Sequence, residues 1–267
     1  MKIHQLAYLL PLAAVLMFSA CDKDDDNTNN SGSPTPTPSS PGKVTVNISN
    51  VAGMVNVDET GATNYTNAVG EQFSVNMFKY YLSNFELLTD SGSYSVPNTY
   101  FLVDESDIAS TKLDLPNVPA GSYKGVRFMV GVDFNRYNDY LANPYTGALD
   151  PVNGMFWVWA DGFTHLKLEG NYLDSNGTSK PFVFHIGGMS GVNAGQRIVE
   201  VMFAGDSLIV NGARKADIHL LADVLNIFTG SSNITIASNS NLMMVNAKSA
   251  SIANNYAGMF RFDHLHN

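Results

Sequence analysis

The chain has 267 residues, a formal charge of −9 and one cysteine, Cys21. An acidic balance without any Lys/Arg cluster argues against a nucleic-acid partner. With no cysteine beyond Cys21, a thiolate blue-copper centre, an iron–sulfur cluster and a cysteine-type zinc site are excluded.

From the start of the chain, Lys2 to Gln5 form a weakly positive region, followed by an apolar run from Leu6 to Phe18. That run has the length of a signal-peptide core and is short for a membrane span. It ends in Phe18-Ser19-Ala20-Cys21, small residues before a cysteine, which is the pattern of lipoprotein processing. Residues 1–20 are therefore predicted to be a lipoprotein signal peptide, with Cys21 lipidated and held by its acyl chains in outer-membrane lipid. Asp22-Lys23-Asp24-Asp25-Asp26 either resembles the export signal for the outer leaflet or simply solvates the start of a linker. The predicted location is an outer-membrane lipoprotein facing the periplasm or the cell surface. Up to Gly42 the chain is Asn, Ser, Thr, Gly and Pro, including Pro34-Thr35-Pro36-Thr37-Pro38. Such a segment buries no apolar area and cannot offset the entropy of ordering, so residues 21–42 are predicted to be a disordered tether stiffened by polyproline II.

Residues 43–267 read as one domain, scarce in charge and rich in Gly, Asn, Ser and Tyr, a profile suited to many short strands. Alternation predicts a strand over Lys43–Ile48; Phe73–Leu88, rich in Phe, Tyr and Val, reads as a strand pair or one long bent strand, and Tyr100–Val103 and Tyr123–Val132 as further strands. Asn135–Asn153 has the content of a long ordered loop. Further strands are predicted within Met155–Glu169 and over Phe182–Ile186, Arg197–Phe203 and Ser207–Val210. Ile218, Leu221, Val224, Leu225 and Phe228 fit one face of a short helix, and Asn241–Tyr256 holds a second. The predicted fold is all-β, mainly an antiparallel β-sandwich, with one or two short helices near the C-terminus.

Two features stand out from this scaffold. Within Met155–Glu169, Phe156, Val158, Ala160, Leu166 and Leu168 are predicted to face the core. Met155, Trp157 and Trp159 then share the other face, either to fill a second sheet interface or to serve a site. The second feature is histidine placement. Along Phe260–His266 an alternating strand points His264 and His266 the same way, roughly 7 Å apart, and neutral imidazole suits copper and zinc. His185, beside Gly187 and Gly188, is as readily a hydrogen-bonded core histidine as a ligand. His219 is read as structural. No acid/base pair, nucleophile elbow or phosphate-cradling loop is present, so an enzyme is not predicted.

The chain also resembles the MbnP-like family of periplasmic or surface copper-binding proteins. The resemblance rests on Lys79-Tyr80-Tyr81-Leu82-Ser83-Asn84, Tyr123-Lys124-Gly125-Val126, Gly131-Val132-Asp133, the block from Ala148 to Trp159, Leu166-Lys167-Leu168-Glu169-Gly170 and Phe184-His185-Ile186-Gly187. It implies copper bound through histidines, with His185 a ligand and His264 and His266 added candidates. It also implies that Trp157 or Trp159 can be oxidised to kynurenine by a partner di-haem protein. Met155, beside the tryptophans, is a candidate soft additional ligand. In the family's best-known copper site the modified tryptophan precedes a ligand histidine by two residues; here those positions hold Trp159 and Asp161. The expected function is non-catalytic copper capture or storage. The alternative is a surface binding module for a glycan or protein, using the Tyr/Trp face and the loop from Asn135 to Asn153.

Overall fold

A computed structural model describes residues 40–159, 162–212 and 214–267. The predicted signal segment and Cys21 lie outside the described residues. The main strands are β1 (Gly42–Ala52), β2 (Gln72–Thr89), β3 (Tyr100–Asp104), β4 (Lys112–Val118), β5 (Gly125–Val130), β6 (Leu166–Leu173), β7 (Ser179–Ile186), β8 (Arg197–Met202), β9 (Ala216–Asp223) and β10 (Phe260–His266), with helices α1 (Phe134–Asn138) and α2 (Ala247–Tyr256).

Two large sheets carry the domain. A five-stranded sheet runs β10–β9–β1, with β4 and the short strand Val55–Asn56 on the far edge of β1. A nine-stranded sheet runs β8–β5–β2–β6–β7, extended by short strands and by β3 on β2. Pairing is mainly antiparallel, but β1 with β9, and β7 with Asn241–Leu242, are parallel. The core lies between the sheets. Val44, Val46 and Ile48 of β1 and Ile218, Leu220 and Ala222 of β9 meet Phe78, Tyr80 and Leu82 of β2 and Leu166 and Leu168 of β6 in one buried cluster. Phe260 stacks edge-on against Phe128 at 4.9 Å and Phe262 lies 5.4 Å from Phe203, joining β10 to the opposite sheet. Burying each such ring contributes about 1.5–3 kcal/mol.

A smaller core sits on the outer side of the nine-stranded sheet. Tyr81, Val132, Tyr145, Leu149, Met155 and Phe163 form it under the segment between β5 and β6. That segment is more regular than the loop predicted over Asn135–Asn153. It holds α1, capped by Asp133 accepting from Arg136 N–H, and three single turns of 3₁₀ helix.

Several expectations are corrected. Ile218–Phe228 is not a helix but strand β9 followed by a 3₁₀ turn over Val224–Ile227. With strands on both of its edges and Ile218, Leu220 and Ala222 buried, the period of two prevails over the helical spacing. The second predicted helix starts only at Ala247, where Asn246 and Ser249 form a capping box. The helices are not both near the C-terminus, since α1 precedes β6. The expected division of the tryptophan segment into two faces does not hold. Met155 and Trp157 are buried, while Val158 is 80% exposed. Trp159 is exposed, so the two tryptophans do not share one environment, and the small core takes Phe156 against it as well as Met155 within it. The expected phase holds at Leu166 and Leu168, which are buried; Ala160 lies outside the described residues.

Candidate metal centre

The outer face of the five-stranded sheet is where the histidines converge. Because Val44, Val46 and Ile48 point inward, Thr45 and Asn47 point outward, and the parallel register sets Asn47 beside His219 and Thr45 beside Asp217. On the other side of β9, His264 lies opposite His219 and His266 opposite Asp217. Two rows therefore cross four strands: Lys112, Asn47, His219 and His264, then Asp114, Thr45, Asp217 and His266.

A β-bulge makes this possible. Strict alternation along β10 would put Phe260, Phe262, His264 and His266 on one face. Yet Phe262 pairs with Leu220 and His264 with the adjacent His219, so Asp263 is the extra residue. The bulge shifts the phase by one, leaving Phe260 and Phe262 packed with the core and turning both histidines outward.

The three imidazoles are close together. His219 and His264 stack at 4.1 Å with 13° between planes, and His266 lies 5.0 Å from His219 and 4.9 Å from His264. Each offers a nitrogen, and these nitrogens all lie within 4.8 Å of one another. Two nitrogens bound tetrahedrally to one ion at about 2.05 Å would stand roughly 3.4 Å apart. Side-chain rotation of the exposed His264 and His266 can close that difference. His264 Nδ1 is 2.9 Å from Asp263 Oδ2, so the carboxylate holds the Nδ1–H tautomer and leaves Nε2 free. The Asn47 side-chain amide lies 3.5 Å from His219 Nε2. Burial, and then the two neighbouring imidazoles, pull the His219 pKa below its ordinary value, while Asp217 and Asp263 oppose them. The neutral, metal-binding form is thereby favoured.

The other candidates lie elsewhere. His185 is on β7 of the nine-stranded sheet, with Nε2 2.6 Å from Glu169 Oε1 and Nδ1 buried without a partner. Burial lowers its pKa, against the pull of Glu169. The nearby buried His165 uses both nitrogens: Nδ1 accepts from Val132 N–H at 3.3 Å and Nε2 lies 3.1 Å from the Gly188 carbonyl. Burial pushes its pKa down to about 4. This region thus offers one free imidazole nitrogen, too few for a histidine-ligated ion. Trp157 is buried with its ring against Gly187, and Trp159, 59% exposed, lies 5.1 Å from it. Met155 belongs to the small core. His219 is the residue that sequence reasoning missed, and its strand partner His264 is the only signal that identifies it.

The sequence profile of the MbnP family matches residues 41–245. This chain belongs to the MbnP family. The match includes His185, Trp157, Trp159 and His219 and ends before His264 and His266. The solved structure of MbnP from Methylosinus trichosporium is similar over 72% of this chain and 78% of that one, at 15% identity and a TM-score of 0.44. No curated protein matches the chain.

Proposed function

We propose that this MbnP-family chain is a membrane-anchored, extracytoplasmic copper-binding protein that captures or stores the metal without turnover, using His219, His264 and His266. The observation that carries this reading is the convergence of three imidazole nitrogens on one open sheet face. Three neutral imidazoles satisfy copper's preference for nitrogen donors, and the face leaves room for a further ligand from solvent. Copper would supply no chemistry to this chain beyond its own coordination. The chain's work is to hold the three rings, through the Asp263 bulge and the β1–β9–β10 register. Anchoring would come from acyl chains on Cys21. Of the two tryptophans, Trp159 is the one whose exposed ring a di-haem partner could reach.

The test is copper content after loading and desalting. The wild-type chain should retain about one copper, and His219→Ala and the His264→Ala/His266→Ala double variant should each lose it. Retention in both variants would overturn the assignment and return attention to His185.

One observation favours a second reading, a glycan- or protein-binding module. The segment carrying α1 borders a polar cleft of about 880 Å³ lined by Tyr100, Asp133, Asn135, Arg136, Asn143 and Thr146. An aromatic hollow of about 390 Å³ lies between Tyr137, Tyr140, Tyr145 and Phe156. Absence of copper in every variant, together with binding on a glycan array, would put this reading first.

A further inference from the structure

We infer that the three-imidazole face is built for a divalent ion, Cu(II) in preference to Cu(I), and that Asp217 and Asp263 set this preference. The inference rests on the metal-binding reading above and concerns the charge of the ion.

The donor set comes first. Cu(I) is soft and is selected by thiolate and thioether sulfur. Here all three donors are imidazole nitrogens. Met155, the methionine that the sequence placed near a metal, is fully buried in the small core beside Tyr81 and Phe163. The chain's single cysteine is Cys21.

The second observation is charge. Two carboxylates flank the rings. Asp263, the bulge residue, contacts His264 Nδ1. Asp217 stands directly opposite His266 and is 3% exposed. Its Oδ2 takes Lys215 at 2.7 Å, while its Oδ1 is buried with no hydrogen-bond partner. An unpartnered carboxylate oxygen is costly at a dry position, and a cation on the adjacent imidazoles offsets that cost. Beside the rings on β9 and β10, three neutral imidazoles with Asp217, Asp263 and Lys215 sum to one negative charge, with Lys112 two strands from His219 and Lys43 paired with Asp114. Coulomb attraction to that local surplus scales with the charge of the ion. A carboxylate on the far nitrogen of a ligand imidazole also makes the ring more basic.

Exposure is the third. His264 and His266 open to solvent, so water can fill the additional positions that a tetragonal Cu(II) ion takes. The bulge serves both ends, since the residue that turns the histidines outward also supplies a flanking carboxylate.

The experiment compares Cu(II) and Cu(I) affinities of the full-length chain by chelator competition, together with the potential of the bound copper. Asp263→Asn and Asp217→Asn keep side-chain shape and remove charge. Each is expected to weaken Cu(II) about tenfold and Cu(I) about threefold, since the Coulomb loss on removing one carboxylate charge scales with the charge of the ion. The affinity ratio then changes about threefold, and the bound-copper potential should rise by about 30 mV, at about 59 mV for each tenfold change. A ratio unchanged in both variants, or a wild-type chain that holds Cu(I) more tightly, would overturn this inference alone. If neither ion binds, the metal-binding reading itself falls, and binding that survives loss of His219, His264 and His266 together overturns the assignment of the site. Should Asp217→Asn fail to fold, the half-exposed Asp263→Asn carries the test.

Discussion

His165 gives this protein an acid-sensitive core that can be measured without any metal. The side chain is fully buried. Its Nδ1 accepts from Val132 N–H and its Nε2 faces the Gly188 carbonyl, so the ring is held as the neutral Nε2–H tautomer. Protonation would place a second N–H against the Val132 N–H, and Arg197 adds a like charge. The folded pKa is about 4, against an ordinary value of 6.5. Between those values the unfolded chain binds the proton and the folded chain does not. The His165 contribution to stability is therefore full above about pH 6.5, falls as the pH drops to about 4, and then levels. At 1.36 kcal/mol per pKa unit the loss is about 3 kcal/mol, a large part of a typical 5–15 kcal/mol of stability. The lowered pKa of His185 contributes in the same direction. The carboxyl groups of Asp58, Asp104, Asp114 and Asp133 are held below 3.8 and titrate beneath this window, whereas burial pushes Glu59 up to about 7 and also raises Glu105, and these two act in the opposite sense within it. The His165 contribution is therefore read as the difference between wild type and a His165 variant. Urea denaturation followed by tryptophan fluorescence at pH 7.5, 5.5 and 4.2 reads the effect. His165→Gln keeps a donor for the Gly188 carbonyl and removes the titration, so its stability should vary less with pH by about 3 kcal/mol. An identical pH dependence in wild type and variant would refute the reasoning.

Two glycines test the packing. A Cβ on Gly170 of β6 would stand 1.8 Å from the Ser74 carbonyl oxygen of β2. Gly170→Ala should therefore cost about 3 kcal/mol or more, read as a lower denaturation midpoint or loss of soluble protein, whereas Gly92→Ala, which meets nothing within 4 Å, serves as the unaffected control. At Gly187 the added carbon would lie 2.4 Å from Trp157 Cζ3. Gly187→Ala should cost about 1–3 kcal/mol and alter the near-ultraviolet circular dichroism, because Trp157 and Trp159 are the chain's two tryptophans; an unchanged spectrum would show that Trp157 does not occupy this place.

Much of the architecture was legible in sequence. β1 follows from alternation of apolar residues, and β2, β3 and β8 from stretches rich in aromatic and aliphatic residues, while the family motifs lie in the segment that the MbnP profile matches. The His264–His266 pair was visible because two residues apart on a strand is a local relation. The rest depended on contacts between distant residues. Ile218, Leu221, Val224 and Leu225 satisfy a helical spacing, while Ile218, Leu220 and Ala222 satisfy a strand; only the presence of β1 and β10 on either edge selects the strand and carries His219 to His264. The tryptophan segment departs from a two-face pattern because a second small core on the outer side of the nine-stranded sheet takes both Met155 and Phe156, which periodicity cannot reveal. At the candidate metal centre the sequence supplied the donor type, imidazole. The tertiary structure decided which imidazoles meet, because the register between β9 and β10, and the bulge that shifts it by one residue at Asp263, arise from packing Phe260 and Phe262 into the core.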